Sequence, residues 1–192
     1  NNNENFRTGK INFITFQDLD VVRYRVPGVE QVTPLMQVSV AGTSYRGRTS
    51  SPQVIATTSE FQEVRGMYAE RGRFIVPSDD QGRRRVAVVG TQVIEDLKLP
   101  EDPVGEYIRV GSEWLKIVGV MQKRGELLGF SQDNYIVIPF DVGRAMMGNN
   151  TKPFITISFN VADVSQVEVV RERVKRAVRA ARKLKPGQPD DF

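Results

Sequence analysis

The carboxylates are the side chains of this sequence best suited to chemistry. Asp79-Asp80 and Glu101-Asp102 are adjacent pairs, Asp133 precedes Asn134, and Asp190-Asp191 stand just before Phe192. Two carboxylates facing each other across a sugar could act as acid and base in glycoside hydrolysis. Their neighbours are rich in Gly, Pro and Ser, however, and Asp in that setting is a common turn former. They therefore read as solvated turn acids, and none has the spacing of an EF-hand calcium loop. Other chemistries are closed off by composition, because the chain has no Cys and no His. That removes thiol nucleophiles and Cys-type zinc sites. It also removes Ser-His-Asp and Cys-His catalysis and the usual near-neutral proton carrier. Nothing pairs a base with a nucleophile, so the sequence reads as a non-enzyme with no catalytic, metal or cofactor residue.

Phosphate-binding loops are equally weak. Val86 to Gly90 precedes a helical pattern and superficially resembles a dinucleotide-binding turn. It has one Gly where the fingerprint has three, and no phosphate-binding Lys follows. Gly42 to Gly47 lacks the Lys-Ser/Thr of a P-loop. Both read as tight turns. A third feature is basic. Arg171, Arg173, Lys175, Arg176, Arg179, Arg182, Lys183 and Lys185 face only Glu172, a local charge of +7 that leaves −3 for the rest of a +4 chain. Basicity thus belongs to one segment. No aromatic residue lies between Val164 and Lys185, so a nucleic-acid partner is not expected. The segment reads as the solvated face of a helix, with attraction to anionic lipid headgroups if it ends near a membrane.

The sharpest local feature is Lys123 to Asn134, which places Leu127, Leu128 and Phe130 among glycines and polar residues. Such side chains either tuck back into the core or stay out as a contact surface. Leu127, Leu128 and Phe130 are the candidate partner or substrate contacts.

These features need elements to position them. Thr15 and Asp18 form a capping-box-like start for a helix carrying Phe16, Leu19, Val22 and Val26, ended by Pro27-Gly28. Met36, Val38 and Val40 alternate as a strand, Gly42 to Arg48 reads as a turn region, and Gln53 to Thr57 as a strand. Ser59 is a candidate cap for a short helix with Phe61 and Val64. Val86 to Val89 is a buried strand, followed by a helix with Val93, Ile94 and Leu97. Tyr107 to Val110 and Trp114 to Met121 form a hairpin around Gly111-Ser112. Tyr135 to Ile138 is a strand, and Phe140, Val142, Ala145 and Met146 mark a short helix. Ile155, Ile157, Phe159 and Val161 alternate with Thr156, Ser158 and Asn160 as a half-buried strand. Asp163 is placed to cap a long helix whose inner face is Val164, Val167, Val170, Val174, Ala177, Val178, Ala181 and Leu184, with Pro186-Gly187 as its stop.

The layout predicts an α+β fold. Residues 1–58 and 150–192 are expected to form one mixed αβ subdomain, and residues 59–149 an inserted β-rich one. With 40% hydrophobic and 26% charged residues the chain has the balance of a folded domain. No apolar run approaches the roughly 18 residues that cross a bilayer. Asn1 to Asn5 is polar with no apolar region behind it, so no secretory signal is expected within the chain. The same features fit a soluble piece of a larger membrane protein.

Taken in order, the motifs resemble a known family. The series begins with Thr15-Phe16-Gln17-Asp18 and Pro27-Gly28-Val29-Glu30-Gln31-Val32-Thr33-Pro34. It continues with Phe61-Gln62-Glu63-Val64-Arg65, Glu70-Arg71-Gly72-Arg73-Phe74 and Val86-Ala87-Val88-Val89-Gly90. Asp102-Pro103-Val104-Gly105, Ile117-Val118-Gly119-Val120, Gly129 to Asn134, Ile138-Pro139 and Pro189-Asp190-Asp191-Phe192 complete it. The chain resembles the periplasmic domain of MacB-type ABC transporter permeases, within the FtsX-like group. The resemblance implies a domain between the first two membrane helices of an inner-membrane permease, exposed on the extracytoplasmic side, with the subdomain built from both ends proximal to the membrane. It implies a second permease protomer, a cytoplasmic ATPase in a separate domain or subunit, and a periplasmic adaptor as partners. It implies coupling of ATP hydrolysis to export or other extracytoplasmic work. The alternative is a free-standing ligand- or protein-binding module of the cell envelope.

Overall fold

The structure, a computed structural model, describes residues 8–148, 153–161, 163–183, 187 and 189. The Asn1 to Asn5 start, residue 150 as a domain boundary, Leu184, Lys185 and Pro186 of the last helix, and the Asp190-Asp191-Phe192 end lie outside these residues. The fold is α+β, as the pattern predicts. It divides into two compact units, residues 1–35 with 152–192 and residues 36–151.

In the first unit, strand β1 (Thr8–Ile14) pairs antiparallel with β13 (Ile155–Val161), Ile11 opposite Ile157. Strand β2 (Val29–Gln37) lies on the other side of β13, and the boundary between the units falls within it. Helices α1 (Phe16–Arg25) and α6 (Val167–Ala181) pack on each other. The α1 start follows the sequence closely. The Asp18 amide donates to Thr15 Oγ1 at 3.2 Å and the Thr15 amide donates to Asp18 Oδ2 at 2.9 Å. This reciprocal pair satisfies two donors that a helix start leaves without partners. Leu19 and Val22 of α1 are buried, as are Val170, Val174 and Val178 of α6, one residue per turn. Two expectations for the last helix are corrected. Asp163 holds the Ser165 amide at 2.9 Å and so starts a 3-10 turn over Val164–Gln166, with α6 beginning only at Val167. Ala181 is exposed, because the helix ends there and its buried stripe stops at Val178.

The second unit begins with a hairpin, β3 (Thr43–Tyr45) and β4 (Arg48–Ser50), in the segment expected to be only a turn. The turn is reduced to Arg46-Gly47, both at positive φ, as in the tight connections that match strand twist. Next come β5 (Gln53–Thr57), α2 (Phe61–Arg65), β6 (Ala69–Gly72), α3 (Pro77–Gln81) and β7 (Val86–Val89). Then follow α4 (Thr91–Asp96), β8 (Tyr107–Val110), β9 (Glu113–Met121) and a small hairpin of β10 (Glu126–Leu127) and β11 (Phe130–Ser131). The unit closes with β12 (Tyr135–Pro139) and α5 (Phe140–Met147). Glu60, not Ser59, occupies the N-cap of α2, and no side chain caps it.

The strand order of this unit is β5-β12-β7-β9-β8-β3-β4, with β6 also on β9. Strand β5 runs parallel to β12 and β7 parallel to β9, while the other pairs are antiparallel. The order imposes curvature. β4 and β5 stand at opposite ends of it, yet Ser51 and Pro52 alone connect them. Six flat strand spacings would span about 29 Å, and three Cα steps reach at most about 11 Å. The sheet therefore curls until its ends approach. Ile108, Val110, Leu115, Ile117, Ala87 and Val89 line one buried face, while Tyr107, Arg109, Trp114 and Lys116 alternate outward. Because β3 and β4 join β8, and β5 joins β12, residues 36–58 belong to this unit. The sequence boundary expected at residue 58 is moved to residue 35 by these pairings.

The acidic pair Asp79-Asp80 is also corrected. Neither is a solvated turn acid, because both serve as helix caps. Asp79 is fully buried and accepts from the Val76 amide at 3.0 Å and from both Arg73 terminal nitrogens at 2.7 and 3.1 Å. Asp80 Oδ1 accepts the Asp141 amide at 2.9 Å, supplying the cap that Pro139 cannot give α5. Burial alone would raise the Asp79 carboxyl. The Arg73 hydrogen bonds, the Val76 amide and the charges of Arg73 and Arg84 outweigh it and hold the group below its usual value of 3.8. A depressed carboxyl stabilises the fold fully above its unfolded value and loses that contribution as pH falls through the folded value. Unfolding midpoints should therefore be flat above about pH 5 and drop below about pH 3.8. Asp79→Asn should cost about 1.5–3 kcal/mol at neutral pH and flatten this acid limb. An unchanged acid limb in Asp79→Asn would remove the assignment.

Candidate contact surface

The segment Gln122 to Asn134 joins β9 to β12, and much of it is the β10–β11 hairpin. Glu126 pairs with Ser131 and Leu127 with Phe130, leaving a two-residue turn of Leu128 and Gly129. Their φ values are 52° and 81°. Positive φ at both positions is the type I′ requirement, met most readily by Asn-Gly. Gly129 fits, whereas Leu128 bears the crowding of a Cβ in the left-handed region, worth about 1–2 kcal/mol. Leu128 is also 90% exposed, with Leu127 at 61% and Phe130 at 78%. The three apolar side chains stand out from the unit and do not tuck into its core. A large apolar residue thus occupies the turn position that favours Asn or Gly, and it gains no burial there.

The hairpin base is held firmly. Asp133, expected to be a solvated turn acid, is buried. Its carboxylate accepts the Arg124 and Gly125 amides, each at 2.8 Å. The Gln132 amide donates to the Gly125 carbonyl at 2.9 Å, and the Asp133 amide donates to Ser131 Oγ at 3.1 Å. The Asp133 carbonyl in turn accepts the Gln92 amide at the start of α4, at 3.2 Å. An exposed apolar tip is therefore carried on a base tied to the core. The sequence contains all of these residues but not the distance relations that turn Asp133 from a turn acid into a clamp.

The same contact explains Gly90. A Cβ there would lie 2.2 Å from the Asp133 carbonyl oxygen. The glycine that superficially suggested dinucleotide binding is required by close backbone packing, and the first turn of α4 is occupied by protein carbonyls. Gly42 to Gly47 likewise resolves into the start of β3 and its hairpin turn.

The remaining candidates do not gather into a site. Glu101 and Asp102 are exposed, and among the described residues Asp102 Oδ1 receives only the nearby Val104 amide at 3.3 Å. Among the described residues no group of three acidic side chains could hold a metal ion, and no helix is long and apolar enough to cross a membrane. The basic helix is largely a solvated face, with Glu168–Arg171 and Glu172–Lys175 pairs along it. Arg182 departs from that reading, since it turns inward to pair with the buried Asp18 of α1.

Comparisons with known proteins cover most of the chain. A family model described as the MacB-like periplasmic core domain matches residues 2–177. The macrolide export ATP-binding/permease protein MacB of Bdellovibrio bacteriovorus is 25% identical over 160 residues, covering 81% of this chain and 24% of that protein. MacB 2 of Aeromonas hydrophila subsp. hydrophila is 31% identical over 135 residues, covering 70% of this chain and 20% of its own length. The chain thus spans about a quarter or less of the curated relatives it matches. The extracellular domain of the ABC-type transporter YknZ from Gram-positive bacteria superposes with a TM-score of 0.75 at 19% identity, over 90% of this chain and 86% of that one. At that identity the likeness establishes the fold.

Proposed function

Because the chain belongs to the MacB-like periplasmic core domain family, we propose that it is the extracytoplasmic module of an ABC transporter permease, a binding and coupling element rather than an enzyme. ATP hydrolysis would take place in a separate nucleotide-binding domain or subunit in the cytoplasm. Its work would arrive through membrane helices continuous with the two ends of this chain. Both ends enter one unit, where the start of α1 is bound to the last turn of α6 by Asp18 and Arg182. A displacement at either end then moves the other, as a rigid-body transmission requires. In a permease dimer, two copies would approach and separate with each cycle.

The contact part of this reading is carried by the β10–β11 tip. Leu127, Leu128 and Phe130 are exposed on a strained turn whose base is clamped. Clustered exposed apolar side chains on an anchored hairpin suit a contact surface better than an idle loop. The surface would meet the second protomer, a periplasmic adaptor or the exported substrate.

The test uses the full-length permease with its ATPase, carrying Leu127→Ala/Leu128→Ala/Phe130→Ala. Export should fall about tenfold or more, a loss of about 1.4 kcal/mol or more in the coupled step. Expression and basal ATP hydrolysis should persist, since the tip contributes nothing to the core. Undiminished export by a well-expressed triple variant would refute the role of the tip.

A further inference from the structure

A pocket of about 120 Å³ opens beside the hairpin base. One wall is the loop from α2 into β6, with Arg65, Met67 and Tyr68. The other is the chain leaving β9, with Gln122, Lys123 and Arg124. The Gln122 amide donates to the Tyr68 carbonyl at 3.0 Å, just beyond the Ala69–Met121 pair of β6 and β9, so the two walls are fixed against each other. Arg65, Lys123 and Arg124 bring three positive charges to it, and no carboxylate lines it. Among the described residues, the Arg65 and Lys123 side chains form no ion pair or hydrogen bond. The Arg124 guanidinium makes one weak contact, to Met67 Sδ at 3.6 Å. The pocket is wide enough for a phosphate-sized anion, and among the described residues no carboxylate pairs with its cations.

The chain that forms this basic wall runs directly into the apolar tip. Only Gly125 and Glu126 separate Arg124 from Leu127, so their Cα atoms are at most about 11 Å apart. We propose that the pocket and the tip together form one site for a single anionic amphiphile. Its phosphate or carboxylate headgroup sits among Arg65, Lys123 and Arg124, and its apolar part lies on Leu127, Leu128 and Phe130. A pocket lined by three cations beside an apolar projection, with Glu126 the one acidic side chain on the stretch between them, is the complement of an anionic amphiphile. The proposal rests on the reading of the hairpin as a contact surface and names the class of molecule that the contact takes.

Dodecyl phosphate below its micelle concentration is the probe, titrated calorimetrically into the 192-residue chain, with dodecyl maltoside, inorganic phosphate and phosphatidylglycerol vesicles compared. Dodecyl phosphate should bind at least about tenfold tighter than dodecyl maltoside or inorganic phosphate, a difference of about 1.4 kcal/mol. Arg65→Gln/Lys123→Gln should weaken it about tenfold and lower its salt dependence, with thermal stability unchanged because both side chains are exposed. The hairpin triple variant should weaken dodecyl phosphate and leave the weak binding of inorganic phosphate as it was. Equal binding of dodecyl maltoside would overturn the headgroup site, and equal binding of inorganic phosphate would overturn the amphiphile. Vesicle binding with the same dependence on Arg65 and Lys123 would replace the single molecule by a membrane surface. Loss of export in the hairpin variant together with no preference for dodecyl phosphate would overturn this inference and leave the contact surface standing.

Discussion

Asp18→Ala should destabilise the chain by about 3–5 kcal/mol, the usual cost of breaking a buried ion pair by removing one partner. Asp18 and Arg182 side chains are 3% and 15% exposed. Asp18 Oδ2 accepts from the Thr15 amide at 2.9 Å, from Arg182 Nε at 2.9 Å and from the second Arg182 nitrogen. The alanine variant removes the helix cap and takes the Asp18 carboxylate away from a buried guanidinium together. Asp18→Asn separates the two effects, because it keeps an oxygen for the Thr15 amide and removes the charge that Arg182 needs. The cap alone should account for about 1 kcal/mol, so Asp18→Asn should retain most of the loss. Urea unfolding of Asp18→Ala, Asp18→Asn, Arg182→Ala and the double variants measures both terms. A destabilisation below about 0.5 kcal/mol in Asp18→Ala would place the pair among exposed ion pairs. It would also deprive the coupling reading of its rigid link between the ends.

Asp133→Ala should release the hairpin while the sheet stays folded. The variant withdraws a charged acceptor from the Arg124 and Gly125 amides, each such bond worth about 1.5–3 kcal/mol. The expected total is about 3 kcal/mol or more, felt locally because the strands on either side, β9 and β12, are held by their own ladders. Hydrogen exchange should show lost protection at residues 124 to 132 with β7 and β12 unchanged. In the permease, this variant should lower export even though Leu127, Leu128 and Phe130 are intact, because the tip is no longer held in position. Unaltered protection of the hairpin would mean that its two short strands hold it without the clamp.

Local rules made part of this molecule legible. The Thr15-Asp18 box, the buried run Val86 to Val89, the Gly111-Ser112 hairpin and the alternation from Ile155 to Val161 all lie where short-range pattern predicts, because caps, turns and strand periodicity depend on neighbours in sequence. The same rules misread Asp79, Asp80 and Asp133. A turn acid and a buried clamp look alike in sequence and differ only in which donors the fold brings to them. Strands β1 and β6 and helix α3 went unread because short elements gain their stability from partners far along the chain. The tip was legible as a choice between a buried and an exposed cluster, and the sequence could not make that choice.

The sequence by itself determined the absence of Cys and His chemistry, the α+β class, the local elements and the order of motifs that resembles the MacB-type periplasmic domains. Composition and short-range pattern suffice for these. Tertiary structure alone decided where the units divide, because β3, β4 and β5 find partners in β8 and β12 rather than in β13. It decided that Arg182 reaches Asp18 across 164 positions. It also left Leu127, Leu128 and Phe130 in solvent, because the pairing of Leu127 with Phe130 and the clamp on Asp133 aim the hairpin away from the core. Burial and ion pairing are properties of the whole packed chain, and no window of neighbouring residues contains them.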